Sequence, residues 1–196
     1  MANGLQAKIL TEAQVSLALV TIERHRYPIR DKVIFLLSFR AGLRAKEIAH
    51  LTCEMITDAE GALATEIDLT NEASKGSSGR RIALNSQLRL ALFDLLETYG
   101  GRQEPDAPVV RSERGGAMSP HSIVEWFGDL YKTLGFDGCS SHSGRRTFIT
   151  RAAKKIHAAG GSLRDVQSLA GHKYLNTTQK YIEGDSEAQR RVVDLI

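Results

Sequence analysis

The chain is poor in the features that would divide it or anchor it. Four prolines in 196 residues, no glycine-serine tract, no internal repeat and no low-complexity run leave no visible linker. The length then favours a single domain, residues 1–196, with room for a substantial core. Its two cysteines, Cys53 and Cys139, lie far apart and outside any CxxC or Cys/His spacing, which points away from a zinc site or a disulfide scaffold. The N-terminus lacks a charged region followed by an apolar stretch and a cleavage site, and no run approaches the roughly 18 apolar residues of a membrane span. A soluble cytoplasmic protein without a membrane partner is the expectation. The acidic residues form no cluster suited to magnesium, so neither a metal nor a cofactor is expected.

A formal net charge of +3 is too small to name a partner, but its distribution says more. From His142 to Tyr181 the basic residues are Arg145, Arg146, Arg151, Lys154, Lys155, Arg164, Lys173 and Lys180, against Asp165 as the one acid. That is the footprint of a surface that meets a polyanion, although charge alone fits a solvated basic face equally well.

Thr11 with Gln14 has the form of a capping box, followed by Val15, Leu19 and Ile22 at helical spacing. The spacing predicts further helices over Ile29–Ala41, ended by Gly42, then Lys46–Leu51 and Ser86–Tyr99. Ser119 and Pro120 supply a cap and a first-turn proline for another, with Ile123, Phe127, Leu130 and Leu134 as its apolar stripe. The helical series closes with His142–Ala158, Leu163–Ala170, Thr177–Ile182 and Glu187–Ile196. Between them, Leu63, Thr65, Ile67 and Leu69 alternate with polar or small residues, and Arg81–Leu84 reads as a second strand beyond a turn-rich tip at Asn71–Gly79. The fold class expected is α+β: mainly helical, with a small three-stranded antiparallel sheet.

His142 and Arg145 stand three apart, so on a helix both project from one face and can grip one phosphate, the guanidinium as a planar fork and the imidazole as a proton carrier. Alone, that pair is more often part of a solvated face. His172 and Tyr181 are nine residues apart, which on one continuous helix sets them on opposite faces. A break is therefore required, with Gly171 ending one helix and Asn176 capping the next. A lone tyrosine is more often a core or interface residue.

Taken in order, these segments resemble the tyrosine recombinases, also called the phage integrase family, over nearly the whole chain. The stretch Ala41-Gly42-Leu43-Arg44-Ala45-Lys46-Glu47-Ile48 is similar to the family's first arginine motif, with Arg44 as a phosphate clamp and Glu47 as its accessory carboxylate. Lys75, in Ser74-Lys75-Gly76, matches the hairpin lysine; His142 and Arg145 match the HxxR box; the Gly-His element, Thr-Thr and tyrosine match His172 and Tyr181. Gly144 and Arg146 depart from the pattern, where a larger apolar residue and a histidine are common; the glycine costs a helix about 1 kcal/mol.

The resemblance implies a site-specific recombinase or integrase that cuts and rejoins double-stranded DNA. Tyr181 would attack a phosphate in line, leaving a 3′-phosphotyrosine bond and a 5′-hydroxyl, with no metal or nucleotide needed. Arg44, Arg145 and His172 would stabilise the charge of the transition state, Lys75 would protonate the leaving oxygen and His142 would assist proton movement at Tyr181. Arg80, Arg81, Arg146, Lys154, Lys155 and Lys173 are the further candidates for DNA contact. The resemblance also implies a homo-oligomer, a tetramer on DNA. Because Thr11 already resembles the start of the catalytic domain, no separate N-terminal DNA clamp is expected, which leaves grip or specificity to oligomer contacts or to an accessory DNA-binding protein. Val192, Val193, Leu195 and Ile196 form an apolar stripe that would dock on a neighbouring protomer or pack on its own chain. Two other readings stay open: a catalytically silent DNA-binding regulator of the same fold, and a supercoil-relaxing enzyme resembling the type IB topoisomerases.

Overall fold

The computed structural model describes residues 7–74, 78–181 and 193. Helix α1 (Glu12–Ile22) begins at the expected capping box: Thr11 Oγ1 accepts from the Gln14 amide while Gln14 Oε1 accepts from the Thr11 amide. Helix α2 (Pro28–Arg40) opens on a proline, whose missing N–H costs nothing in a first turn, and buries seven consecutive residues from Val33 to Phe39. It is the central element, packed on α4 (Ser86–Thr98) and α6 (Ser143–Lys155), while α3 (Ala45–Ala49) packs on α5 (Pro120–Thr133). The main core runs through these helices and is completed by Ile67, Leu69 and Ile82 from the sheet. A second, smaller core of Ile149, Ala153, Val166 and Ala170 joins α6 to α7 (Leu163–Ala170).

The sheet differs from the expected three strands. Among the described residues it has two, β1 (Glu66–Leu69) and β2 (Arg80–Ala83), paired antiparallel with Ile67 opposite Ile82 and Leu69 opposite Arg80. Immediately ahead of β1 the chain makes only an isolated bridge, Thr57 to Leu63, because the Asp58–Gly61 turn closes on itself through the Asp58 carboxylate and leaves no length for a ladder. Helix α6 ends at Lys155, earlier than expected, in a turn leading to Gly160, and α8 (Leu175–Gln179) starts two residues early. Its N-cap is Tyr174 with no side-chain cap, so Asn176 does not play the capping role. The expected last helix, with Val192, Leu195 and Ile196, lies outside the described residues; Val193 is helical and exposed. No helix among the described residues is long and apolar enough to cross a membrane.

Candidate active site

Three chain reversals bring distant residues to one place. Gly42, at φ +66°, turns the chain out of α2 so that Arg44 becomes the N-cap residue of α3; a side chain at position 42 would collide with the Phe148 ring. His142 is the N-cap residue of α6, with Arg145 on its first turn. Gly171 ends α7 in the left-handed region, φ +59° and ψ 43°, and α8 carries the chain back so that the rings of His172 and Tyr181 stack at 5.6 Å between centroids, 24° from parallel. The geometric break needed between these two residues is therefore present.

The result is an open cavity of about 480 Å³ lined by Arg44, His142, Arg145, Arg146, His172, Lys180 and Tyr181, with Ala7, Ser140 and Thr177 between them. Among the described residues no carboxylate lines it. Glu47, behind Arg44, is fully buried and is gripped from two sides: Arg44 donates to it through Nη1 at 2.7 Å and through its backbone amide at 2.8 Å, and Arg80 donates to both oxygens at 3.0 and 3.1 Å. Burial alone would raise the Glu47 carboxyl, but the hydrogen bonds and charges of Arg80 and Arg44 hold it below its ordinary value.

Arg145 is buried and donates to the Gly42 and Ala170 carbonyls, which fixes its fork between α2 and the end of α7. Burial, with the neighbouring Arg44 charge, pulls its guanidinium down to about 9, so it remains a cation at neutral pH. His172 is pulled to about 4 by burial first and by Arg145, Arg44 and Arg80 next, so its imidazole is neutral at neutral pH. Its Nδ1 shares a 3.0 Å hydrogen bond with Thr178 Oγ1, leaving the other nitrogen for a ligand. The Arg44 and Arg80 charges thus act on both Arg145 and His172, which makes the cavity they share suited to an anion.

Of the residues singled out from sequence, Arg44, His142, Arg145, His172 and Tyr181 share this cavity and Glu47 lies directly behind it. Lys75 lies outside the described residues. Among the six further DNA-contact candidates, Lys154, Lys155 and Lys173 are exposed, and Arg81 is exposed on the hairpin's outer face, within 3.5 Å of Glu66 and Asp68. Arg146 lines the cavity and donates to the Ala7 carbonyl at 3.1 Å. Arg80 is placed inward, not on the surface: its side chain is 6% exposed. Strand alternation is the reason, since Arg80 shares a face with buried Ile82 and Arg81 takes the other. Sequence reading gave no role to Thr178, buried beneath His172, or to Lys180 as a cavity residue, although both sit in the segment already marked by His172 and Tyr181. Among the described residues no group of three or more His, Cys, Asp or Glu lies close enough to hold a metal ion.

The chain belongs to the phage integrase family, which it matches over residues 8–188. It is 31% identical over 175 residues to a protein named tyrosine recombinase XerC from Myxococcus xanthus, covering 85% of this chain and 54% of that one. A namesake from Pelobacter propionicus is 29% identical over 173 residues, with 88% and 53% covered. The chain thus spans about half the length of the curated relatives it matches. Its fold is that of XerA recombinase, with a TM-score of 0.70 at 20% identity over 100% of this chain and 65% of that one. It is equally that of XerH recombinase bound to its difH substrate, at 0.71 and 18%, over 98% and 55%.

Proposed function

We propose that this chain carries the DNA-cleaving chemistry of a site-specific recombinase, joining itself to DNA through a 3′-phosphotyrosine bond at Tyr181. The reading rests on a single observation: one cavity, with no carboxylate in its lining among the described residues, is shared by Tyr181, three arginines and two histidines that come from separate parts of the chain. A free phenol is ionised in only about one part in a thousand at neutral pH, so the nucleophile needs an environment of this kind.

In the proposed step the Tyr181 oxygen forms a bond to phosphorus as the bond from phosphorus to the 5′-oxygen breaks. The phenolic proton leaves toward His142, and the departing oxygen takes a proton from Lys75, a role carried over from the family resemblance. Arg44, Arg145 and the free nitrogen of His172 donate to the non-bridging oxygens as charge builds there. Because the phosphodiester energy is kept in the new bond, a 5′-hydroxyl reverses the step on the same strand or a second one. One nucleophile per cut strand makes a tetramer the working assembly for exchange between two duplexes. Lys154, Lys155 and Lys173 are assigned to the DNA backbone.

The test is a nicked suicide duplex bearing a site that the protein itself selects from a random-sequence pool. Wild type should form a denaturant-stable protein–DNA adduct and Tyr181→Phe should form none while binding equally well. Binding without any adduct from wild type would leave the silent regulator as the reading. An adduct with plasmid relaxation and no recombinant product would favour the topoisomerase-like one.

A further inference from the structure

We propose, building on the recombinase reading of this cavity, that Arg80 is a positioning residue and not a DNA contact: it shares Glu47 with Arg44 and ties down the end of α7, so that Arg44 and His172 both face the phosphate.

Three observations carry this. The first is saturation. An arginine has five N–H donors; Arg80 commits four contacts to its own chain, to both Glu47 oxygens, to the Leu169 carbonyl at 2.8 Å and to the Ser78 carbonyl at 3.2 Å. With its side chain 6% exposed it offers almost nothing to a DNA backbone. The second is the sharing of Glu47. A buried carboxylate held only by Arg44 would take that guanidinium as its full counter-ion; with Arg80 supplying the second charge, Arg44 stays 28% exposed at the cavity wall and retains a net positive field for an incoming anion. The third is the join to α7. Arg80 caps the Leu169 carbonyl and Arg145 caps the next one, Ala170, immediately before Gly171 and His172. The last carbonyls of a helix lack intrahelical partners, so cations there fix where the helix stops and where the following residue points. Gly171 leaves room for this contact, since a side chain at that position would lie 2.8 Å from Arg80 Nη1. Arg80 thus sits between α3, which presents Arg44, and α7, which presents His172, at the start of β2.

The experiment compares wild type, Arg80→Met, Arg80→Lys and the double variant Glu47→Gln/Arg80→Met on the self-selected suicide duplex, with two readouts. One is the adduct formation rate at saturating protein; the other is the dependence of DNA affinity on salt. Arg80→Met should slow cleavage of bound DNA on the order of 100-fold, the scale seen when a transition-state donor is lost, while the salt slope stays unchanged. Glu47→Gln in that background should restore part of the rate by releasing Arg44. Arg80→Lys, which keeps the charge but cannot span both Glu47 and Leu169, should fall between, and it carries the same comparison should Arg80→Met fail to fold. A salt slope reduced by about one with an unchanged cleavage rate would make Arg80 a phosphate contact and overturn the proposal; so would a double variant slower than Arg80→Met. If wild type forms no adduct at all, it is the recombinase reading that fails, a result separable from either of these.

Discussion

At the scale of single residues, the informative groups are those that break the usual rules of burial. Glu47 is a fully buried carboxylate whose cost is offset by the Arg80 fork and by the Arg44 guanidinium and amide, so removing its charge leaves cations uncompensated. Glu47→Leu is expected to destabilise the fold by about 3 kcal/mol in urea unfolding, at the low end for breaking a buried pair. Since its folded pKa lies below the ordinary 4.5, its contribution is present above that pH and is lost as pH falls through the depressed value. Wild type should therefore lose stability below about pH 4.5 more steeply than Glu47→Gln. Gly144 is a second such residue. It reads from sequence as a weak point in a helix, yet a Cβ there would lie 2.5 Å from Ser38 Oγ, so the glycine is what lets α6 approach α2. Gly144→Ala should lower the melting temperature despite the better helix propensity, and Ser38→Ala should recover part of the loss. The sequence showed the departure; only the neighbour across the interface showed its meaning.

At the scale of elements, the α7–α8 join does the decisive work. A left-handed Gly171, a five-residue helix and a buried Thr178 turn Tyr181 back over His172. Gly171→Ala combines a backbone cost of about 1 kcal/mol with a collision against Arg80, and it should lose cleavage by far more than it loses stability. The same join sets a pH response. His172 binds a proton near pH 4 in the free protein against 6.5 ordinarily, because burial and the Arg145, Arg44 and Arg80 charges oppose it. Between those values the unfolded chain holds more protons, so this residue makes the free protein less stable as pH falls from 6.5 toward 4. A phosphate in the cavity works the other way and raises the His172 pKa, so DNA binding should take up a proton there. Affinity should strengthen as pH is lowered through this window, and His172→Gln should flatten that trend in a fluorescence-anisotropy titration. The need for a break between His172 and Tyr181 was legible from helical geometry. Its placement was not, because Tyr174 caps α8 through backbone conformation alone and no side chain marks it.

At the scale of the whole molecule, the basic stretch from 142 to 181 divides by tertiary role. Arg145 is buried; Arg151 donates to Glu12 at 2.6 Å and to the Leu10 carbonyl, stitching α6 to the N-terminal segment; Lys180 lines the cavity; Lys154, Lys155 and Lys173 are exposed. Neutralising any one of the three exposed lysines should reduce the slope of log affinity against log salt by roughly one. Arg151→Met should leave that slope alone and lower the melting temperature.

What the amino-acid order determined by itself was the set of elements and the chemistry of the parts. Periodicity, caps and glycines are local properties, so the capped start of α1, the buried α2, the strand pair and the ordered arginines, histidines and tyrosine could all be read along the chain. What the tertiary structure decided was the direction in which each cation faces. Arg80 and Arg81 are neighbours with the same side chain, yet one is locked between Glu47 and Leu169 and the other stands on an outer strand face. That difference depends on which carboxylate and which helix end lie opposite, and those partners are 33 and 89 residues away in sequence. A charge distribution along a chain names the groups available to an anion; only packing determines which of them already have a partner.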